Sequence, residues 1–323
     1  MILTVTPNPS LDRTYEVPAL ERGEVLRATG ERMDPGGKGV NVSRALAAAG
    51  HRTVAVVPLG GAPGALVAQL LAAQGIRVAP VPVAGHTRSN IAIAEPDGTL
   101  TKVNAPGPEL SAEESETLLA SVGSYHPAPE WIACCGSLPR GLAPEWYAEL
   151  VTRAHGAGAR IALDTSGPSL LAALAARPDV VKPNAEELAE AVGRPLATVG
   201  DAVKAAEELR VSGAGAVLAS LGADGQLLVS ADGIWYGHAA VPVVRSDVGA
   251  GDASLAGFLA AGGEGPTALA AAIAHGAAAV QLPGSQMPTP ANLAPSAVTV
   301  TTDVPLNRAL REANTVAERV NSR

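Results

Sequence analysis

The segment VGAGD at residues 248–252 combines two glycines with an acid directly before an apolar stretch of helical period. Glycines let the backbone turn tightly, so consecutive N–H groups at the start of a helix can point at an anion, which the helix dipole also favours. The amides of Gly249, Ala250 and Gly251 therefore form a candidate phosphate seat. Asp252 has two interpretations: a helix N-cap, which the spacing alone favours, or a base that accepts a proton from an attacking hydroxyl.

A second glycine cluster, DPGGKG at residues 34–39, precedes a predicted helix that ends at Gly50. Its spacing is not that of a Walker loop, whose glycines are farther apart and whose Lys is followed by Ser or Thr. The backbone at Gly37 can still approach a polyol closely, with Lys38 as a point charge and Asn41 as a hydrogen-bond donor and acceptor. A purely structural turn into a helix is the alternative.

Further polar clusters follow predicted strands. Asp12 could accept hydrogen bonds from sugar hydroxyls or be an ordinary turn aspartate. In KPNAEE at residues 182–187, the spacing of Asn184 and Glu187 suits water-mediated binding of Mg²⁺ and equally a capping box. The segment SLGADG at residues 220–225 adds a glycine-rich turn. Together, the clusters predict a functional rim at the ends of consecutive strands.

The elements that would carry these clusters alternate along the chain. Each apolar strand candidate is followed by a segment of helical period, and the candidates lie at 53–58, 131–134, 160–163, 180–182 and 216–219. Strands that alternate with helices predict a doubly wound α/β fold with a mainly parallel sheet covered on both faces. Ligands of such sheets bind beyond the carboxyl ends of the strands, so the polar clusters are expected on one edge.

Two stretches, residues 13–33 and 87–104, break this rhythm, because β-branched and polar residues alternate there around turn residues. They predict a small antiparallel β lid that excludes water from the reacting groups, or alternatively a surface hairpin used only for dimerisation. The α/β core is predicted to comprise residues 1–12, 34–86 and 105–290, and the tail at 291–323 is predicted to pack loosely.

Hydrophobic residues make up 47% of the chain and aromatic residues only 2%, so the core must consist mainly of Ala, Val, Leu and Ile. A net charge of −8 argues against a nucleic-acid partner. Cys134 and Cys135 are adjacent in an apolar stretch and are expected in the core of a protein from a reducing compartment. We expect a cytoplasmic protein without a membrane partner, because neither a signal peptide nor a membrane span is recognisable.

These clusters, in this order, resemble the PfkB (ribokinase-like) family of carbohydrate kinases over essentially residues 1–290. VGAGD resembles the family's C-terminal signature, and residues 35–46 resemble its N-terminal one. The resemblance implies ATP and Mg²⁺ as cofactors and makes Asp252 the base, with the amides of Gly249, Ala250 and Gly251 as the anion hole. It further implies a nucleotide side of Lys182, Asn184, Ser220, Gly222 and Gly225, water-mediated Mg²⁺ at Asn184 and Glu187, and a sugar side of Asp12, Gly37, Lys38 and Asn41.

The start TVTPNPSLD at residues 4–12 and the lysine of GGKG resemble the phosphosugar branch of this family. A sugar that already carries a phosphate dianion needs fixed cations, and Lys38 and Arg88 can supply them. Arg88 and Asn90 lie in the segment TRSN of the predicted lid, and Ser137 in GSLP matches a family element near the substrate. Arg140 follows this element at a position that the family does not fix, and the sequence assigns it no role.

The expected reaction is transfer of the γ-phosphoryl group of MgATP to the carbon-6 hydroxyl of fructose 1-phosphate, with tagatose 6-phosphate or fructose 6-phosphate as alternative acceptors. Outside enzymes, the alternative is a silent sugar-phosphate sensor, although a sensor has no need of a base such as Asp252. A nicotinamide dehydrogenase is not supported, because no GxGxxG turn follows the first strand. Lid segments of this family often clasp one another, so we expect a homodimer.

Overall fold

The computed structural model describes residues 1–311. The strands in this range are β1 (Ile2–Val5), β2 (Ser10–Glu16), β3 (Gly30–Gly36), β4 (Thr53–Leu59), β5 (Arg77–Pro82), β6 (Arg88–Ala94), β7 (Leu100–Val103), β8 (Trp131–Cys135), β9 (Arg160–Asp164), β10 (Val180–Val181), β11 (Ala216–Ser220), β12 (Gln226–Ser230), β13 (Gly233–Ala239) and β14 (Val298–Thr301). The helices are α1 (Lys38–Ala48), α2 (Gly61–Ala73), α3 (Ala112–Val122), α4 (Trp146–Gly156), α5 (Gly167–Leu174), α6 (Ala185–Val192), α7 (Val199–Val211), α8 (Ala250–Ala260) and α9 (Gly265–Ala279). None of these helices has the length and apolar character needed to cross a membrane.

The main sheet, within the described residues, has the strand order β14-β13-β12-β11-β10-β9-β8-β1-β4-β5. Neighbouring strands from β11 to β5 run parallel, whereas β11–β12, β12–β13 and β13–β14 are antiparallel pairs. The prediction of a doubly wound, mainly parallel α/β fold is confirmed. The antiparallel strands extend one side of the parallel sheet.

Alternate side chains of a strand enter different layers of the core, as β8 shows. Ile132 and Cys134 pack on one face of the sheet with residues of α3 to α7. Trp131, Ala133 and Cys135 pack on the other face with residues of α1, α8 and α9. Helices therefore cover both faces of the sheet, and both cysteines are core residues, as expected.

The carboxyl ends of β1, β8, β9, β10 and β11 lie on one edge of the sheet, because these strands share a direction. The helices that follow the two glycine signatures, α1 and α8, meet at this carboxyl edge. Asn41 Nδ2 of α1 donates a 2.9 Å hydrogen bond to Asp252 Oδ2 of α8. The strand order thus brings the predicted polar clusters to one place.

A smaller lid sheet has the strand order β3-β2-β6-β7. Its outer pairs, β2–β3 and β6–β7, are antiparallel, as expected of the lid, but the central pair β2–β6 is parallel. Both central strands leave the carboxyl edge of the main sheet, which explains their common direction. The first lid segment, predicted at residues 13–33, is longer than predicted, since β2 starts at Ser10 and β3 continues to Gly36.

The chain beyond residue 291 differs from the prediction of a loose tail. Strand β14 pairs with β13, and its alternating valine and threonine residues suit a strand at the edge of a sheet. Farther on, the amides of Val199 and Gly200 donate hydrogen bonds of 2.9 Å to the carbonyls of Arg308 and Leu306. The tail therefore packs on the core as far as residue 311, and its remainder, 312–323, lies outside the described residues.

Two helical glycines offer a matched test of how closely α1 packs on the end of β1. A Cβ atom at Gly39 would lie 2.5 Å from Thr6 Oγ1 and 2.8 Å from the Val5 carbonyl oxygen, whereas one at Gly156 would meet nothing within 4 Å. We expect Gly39→Ala to lower the free energy of unfolding by about 1–3 kcal/mol, because the backbone must shift. Gly156→Ala should leave it within about 1 kcal/mol or raise it. Urea unfolding followed by circular dichroism measures both, and equal midpoints would contradict the packing described.

Candidate active site

Asp252 lies in the first turn of α8 and is only 7% exposed. The N-cap of this helix is Gly249, whose φ of 78° lies in the left-handed region, so the interpretation of Asp252 as the N-cap is wrong. Its carboxylate oxygen Oδ2 accepts the hydrogen bond from Asn41. No partner of the other oxygen, Oδ1, is found among residues 1–311. One side of the carboxylate is therefore available to a ligand.

The pKa of Asp252 suits a general base. Burial, and then the negative charge of Asp164, raise the pKa of Asp252 to about 6, although Asn41 and two nearby lysines counteract this shift. A carboxylate with this pKa is ionised at neutral pH and accepts a proton more readily than an exposed carboxylate. Asp252 can therefore deprotonate a hydroxyl group brought to its free oxygen.

The backbone amides beside Asp252 differ in their availability. Gly249 and Gly251 have no amide partner in the described part of the chain, whereas the amide of Ala250 donates a long hydrogen bond of 3.3 Å to the Asp247 carbonyl. The amides available to a phosphate group are thus mainly those of the two glycines. A cation lies close to it, because Lys182 Nζ is 3.3 Å from the position that a Cβ atom of Gly251 would occupy.

Asp164, the last residue of β9, is a central acid of the site that the sequence analysis missed. It is fully buried, and its carboxylate lies 2.8 Å from the ammonium groups of both Lys38 and Lys182. Burial alone would raise the pKa of Asp164, but the two lysines outweigh it and hold the pKa below its ordinary value. An acid directly after the predicted strand at 160–163 was the available signal, since such positions face the carboxyl edge.

Lys38 does not have the surroundings expected of a free cation for a sugar phosphate. Its Nζ atom lies 2.8 Å from Asp164 and 3.2 Å from Glu187. Burial alone would lower the pKa of Lys38, but these two acids raise it well above its ordinary value. Both acids neutralise the ammonium group in this geometry, and binding of a sugar phosphate by Lys38 stays a prediction.

Asn184 and Glu187 form a capping box at the start of α6. Asn184 Oδ1 accepts from the amide of Glu187 at 2.8 Å, and Glu187 Oε2 accepts from the amide of Asn184 at 2.9 Å. The capping interpretation is confirmed. It leaves the second oxygen of Glu187, Oε1, at the carboxyl edge beside Lys38.

The glycine-rich turn after β11 lies next to this capping box. Asn184 and Ser220 form an isolated parallel β-bridge, and the amide of Ser220 donates a 3.1 Å hydrogen bond to the Pro183 carbonyl. Gly222 and Gly225 have φ of 59° and 102°, a region that favours glycine. The predicted nucleotide residues, from Lys182 to Gly225, are therefore neighbours in the fold.

Asp224 anchors this turn to the tail. It is 2% exposed, and its Oδ2 accepts a 2.7 Å hydrogen bond from the amide of Arg311. Arg308 Nη2 lies 3.5 Å from the other carboxylate oxygen. Tyr236 donates through its hydroxyl to the Asp224 carbonyl at 2.6 Å and accepts from Arg308 Nη1 at 2.9 Å. Residues of the tail thus hold the conformation of the turn.

The predicted sugar residues lie on the lid strands and on α1. Asp12 Oδ1 accepts hydrogen bonds from Asn90 Nδ2 at 2.9 Å and from Ser10 Oγ at 2.7 Å. Asn41 is oriented by Arg44, which donates to Asn41 Oδ1 at 3.2 Å and so turns the amide nitrogen toward Asp252. The sequence analysis missed Arg44, because a buried arginine on an apolar helix gives no local signal.

Arg88 is engaged with the backbone. Its Nη1 and Nη2 donate to the carbonyls of Ala105 and Asn8 at 2.9 and 3.0 Å, and its buried Nε has no hydrogen-bond partner within residues 1–311. Burial lowers the pKa of Arg88. Ser137 lies nearby, with its hydroxyl oxygen 3.5 Å from Asn8 Nδ2. Arg88 therefore joins the segments that flank the site and, because its two partners are neutral carbonyls, it keeps its positive charge.

These residues place a carboxylate that can act as a base next to amides at a helix N-terminus that can bind a transferring phosphoryl group, and hydrogen-bonding lid residues lie nearby. Such an arrangement at the carboxyl edge of a parallel sheet defines a phosphotransferase that acts on a hydroxyl group. Comparison with known proteins makes the class specific. The chain belongs to the pfkB family of carbohydrate kinases, whose model matches residues 6–292.

Similar proteins agree with this assignment. A 1-phosphofructokinase of Rhodobacter capsulatus is 41% identical over 93% of this chain and 96% of its own length. The solved structure of phosphofructokinase-2 from Escherichia coli with potassium has a TM-score of 0.85 at 33% identity, and covers 90% of this chain and 96% of its own. A ribokinase from Arabidopsis thaliana, at 23% identity and a TM-score of 0.70 over 89% of this chain and 95% of its own, shares the fold. The predicted family and the ribokinase-like fold are confirmed.

The coupling between the two buried acids predicts a pH effect. Asp252 must be ionised to act as a base, so kcat/KM should fall as the pH decreases through about 6, its pKa. Asp164→Asn removes a negative neighbour and should lower the pKa of Asp252, which moves this acid limb to lower pH. A pH profile of kcat/KM measures the shift, with Asp232→Asn on the surface as the control. An unchanged limb in Asp164→Asn would show that the two acids are not coupled.

Proposed function

We propose that this kinase transfers the γ-phosphoryl group of ATP to the carbon-6 hydroxyl of fructose 1-phosphate. The observation that carries the reaction type is the buried carboxylate of Asp252 in the first turn of α8, with one oxygen held by Asn41 and one available. The sugar is inferred from relatives named 1-phosphofructokinase, such as the one that is 41% identical to this chain.

In the proposed mechanism, the proton of the hydroxyl group moves to Asp252 while the hydroxyl oxygen forms a bond to the γ-phosphorus. The bond from this phosphorus to the oxygen shared with the β-phosphate breaks, and ADP leaves with that electron pair. The amides of Gly249 and Gly251, at the positive end of the α8 dipole, stabilise charge on the transferring oxygens. Because Asn41 binds Oδ2, Oδ1 of Asp252 is the atom that receives the proton.

We assign the nucleotide phosphates to the part of the carboxyl edge between α8 and the turn after β11. Lys182 lies beside Gly251 and is the cation that contacts the transferring group in this proposal. Asn184, Ser220, Gly222 and Gly225 form the adjoining stretch, where close backbone approach requires glycine. Asp164 pairs with Lys182 and so fixes the position of its ammonium group.

Magnesium is the metal implied by the family, and the acids at the carboxyl edge allow a test of its fit. Within residues 1–311, no three His, Cys, Asp or Glu side chains converge, which argues against a cage made of protein ligands alone. Mg²⁺ commonly keeps several waters and binds nucleotide phosphates with help from one or two carboxylates. Both oxygens of Asp164 are paired with lysines, so we propose that Glu187, together with the neighbouring Asn184, would hold the hydrated ion through water. When bound, the ion would neutralise phosphate charge.

Fructose 6-phosphate is the second candidate acceptor. It is favoured by the structural similarity to phosphofructokinase-2, whose complex with fructose-6-phosphate has a TM-score of 0.82 to this chain at 33% identity. The same base and amides would serve this substrate, because only the end of the sugar that carries the phosphate differs. The choice between the two sugars therefore depends on groups away from Asp252.

A coupled ADP-release assay with MgATP distinguishes fructose 1-phosphate, fructose 6-phosphate, tagatose 6-phosphate and fructose. We expect the highest kcat/KM with fructose 1-phosphate, and a decrease in kcat of about 10²- to 10⁴-fold in Asp252→Asn, which lacks the base. Asp232→Asn is the surface control. Preference for a 6-phosphate would replace the proposed substrate, whereas no turnover of any sugar phosphate would favour a sensor.

We further propose that the lid joins two copies of the chain. Arg13, Met33, Ile91 and Val103 lie opposite one another across the four lid strands, so they share one face. Met33, Ile91 and Val103 are 38%, 40% and 60% exposed, although all three are apolar. Asp12 and Asn90 lie on the opposite face by strand alternation. Apart from Arg13, these outer-face residues are apolar, which supports a second copy of the chain as the partner of this face.

Charges on this outer face should separate the copies. We expect the wild-type chain to be a dimer and the double variant Ile91→Asp/Val103→Asp to be a monomer, because buried unpaired carboxylates would oppose association. Size-exclusion chromatography with light scattering measures the mass. Val211→Asp, at an apolar position that is 90% exposed on α7, is the control and should remain dimeric. A double variant with unchanged mass would rule out this interface.

A further inference from the structure

Arg44 is a buried cation of α1 that the proposed transfer does not use. Its side chain is only 8% exposed, and a charged group is rarely buried to this extent unless it is paired. Its Nε donates to Gln74 Oε1 at 3.0 Å, its Nη1 donates to Asn41 Oδ1 at 3.2 Å, and its Nη2 lies 3.6 Å from Asp34 Oδ1. Asp34 belongs to the lid strand β3, and Gln74 is the C-cap of α2. The guanidinium group is therefore held by residues of three different elements.

The chemistry of its neighbours leaves one orientation to the side-chain amide of Asn41. A guanidinium group can only donate hydrogen bonds, and an ionised carboxylate can only accept them. Asn41 lies between one group of each kind, because Arg44 donates to its Oδ1 and its Nδ2 donates to Asp252 Oδ2. A reversed amide would place N–H groups against N–H groups on one side and two oxygens against each other on the other side. Arg44 thus keeps the amide nitrogen of Asn41 directed at Asp252.

This orientation affects the ionisation of Asp252. The ionised carboxylate accepts a hydrogen bond from Nδ2 of Asn41, whereas only a protonated carboxyl group can donate to Oδ1 of a reversed amide. A hydrogen bond to the charged form stabilises that form. Burial and the charge of Asp164 raise the pKa of Asp252, and the hydrogen bond from Asn41 lowers it. A fixed Asn41 amide therefore opposes protonation of Asp252.

Several titratable groups face Asp252. They are Asp164 from β9, Lys182 after β10, Lys38 and Arg44 from α1, and Cys135 from β8. The titratable residue of α9, His275, lies against Gly257 instead. Arg44 differs from the two lysines because a neutral amide lies between it and the carboxylate. Removal of that amide can therefore separate the effect of its charge from the effect of its hydrogen bond.

We propose that Arg44 is a positioning residue that keeps Asp252 ionised by fixing the side-chain amide of Asn41. It acts through Asn41 and does not contact the sugar or the nucleotide. Because the fixed amide occupies Oδ2, Arg44 also determines that Oδ1 is the oxygen left free to receive a proton. The use of Asp252 as the base rests on the proposed function, whereas its ionisation is a property of the free protein and can be measured without substrate.

A carbon-13 NMR titration of the aspartate carboxyl groups measures the pKa of Asp252 directly, and the absence of its resonance in Asp252→Asn identifies it. Arg44→Met keeps an apolar stem and removes every donor. We expect the pKa of Asp252 to rise by about 1 in Arg44→Met, because the carboxylate loses an oriented donor. The acid limb of the kcat/KM profile should move to higher pH by the same amount. Arg52→Met, at an exposed arginine before β4, is the control and should leave both unchanged.

A double variant shows whether Arg44 acts through Asn41. In an Asn41→Ala background, Arg44→Met should change the pKa of Asp252 by less than about 0.3, because no amide remains to be oriented. An equal rise in both backgrounds would overturn the proposal, since it would show that the charge of Arg44 acts directly on Asp252.

Arg44→Gln replaces Arg44→Met if the latter does not fold. A glutamine amide both donates and accepts, so it no longer imposes one orientation on Asn41, and the pKa of Asp252 should again rise. A pKa equal to that of the wild-type protein in the folded variant refutes the role of Arg44. Absence of turnover with fructose 1-phosphate would instead refute the proposed substrate, because the titration requires no sugar.

Discussion

Buried charge at the carboxyl edge is the constraint on which the rest of this site depends. Removing a carboxylate from water is unfavourable unless a cation or hydrogen-bond donors replace the solvent. Lys38 and Lys182 do this for Asp164, whereas among residues 1–311 Asp252 has only Asn41 as a direct hydrogen-bond partner. The difference explains why one acid keeps a low pKa and the other becomes basic. The arrangement of β9, β10, α1 and α8 places the two acids and the two lysines next to one another.

The lid also separates two environments, because one face of its sheet is polar and the other is largely apolar. Successive residues of a strand point to opposite faces, so Asp12 is directed to one side and its neighbour Arg13 to the other. Asn90 and Ile91 repeat this division on the adjacent strand. A shift of the lid register by one residue would exchange polar and apolar faces and remove the contact between Asn90 and Asp12. The proposed association between copies and the proposed contact with the sugar thus depend on the same strand pairing.

The sequence was sufficient for the sheet and the family because both depend on local patterns. Apolar runs ended by glycine or polar residues predict parallel strands. The GAGD and GGKG segments can each be recognised because each is a short uninterrupted stretch of sequence. It was not sufficient for partners that are distant along the chain. Charge considered one residue at a time does not show that Lys38 is paired with Asp164 and Glu187, or that Arg88 donates to two backbone carbonyls. The valine and threonine alternation of β14 was also a local signal, but the surrounding prolines favoured a loose tail.

The contact between Asp224 and the tail has a consequence for the order in which the site can form during protein synthesis. The glycine-rich turn is made when residue 225 has been added, but the amide that binds its buried acid belongs to residue 311. Until residue 311 has been added, the carboxylate of Asp224 lacks this partner, and the turn is held by hydrogen bonds of its own backbone and by Tyr236. The contact that completes the burial of Asp224 is therefore made only after nearly the whole chain has been synthesised.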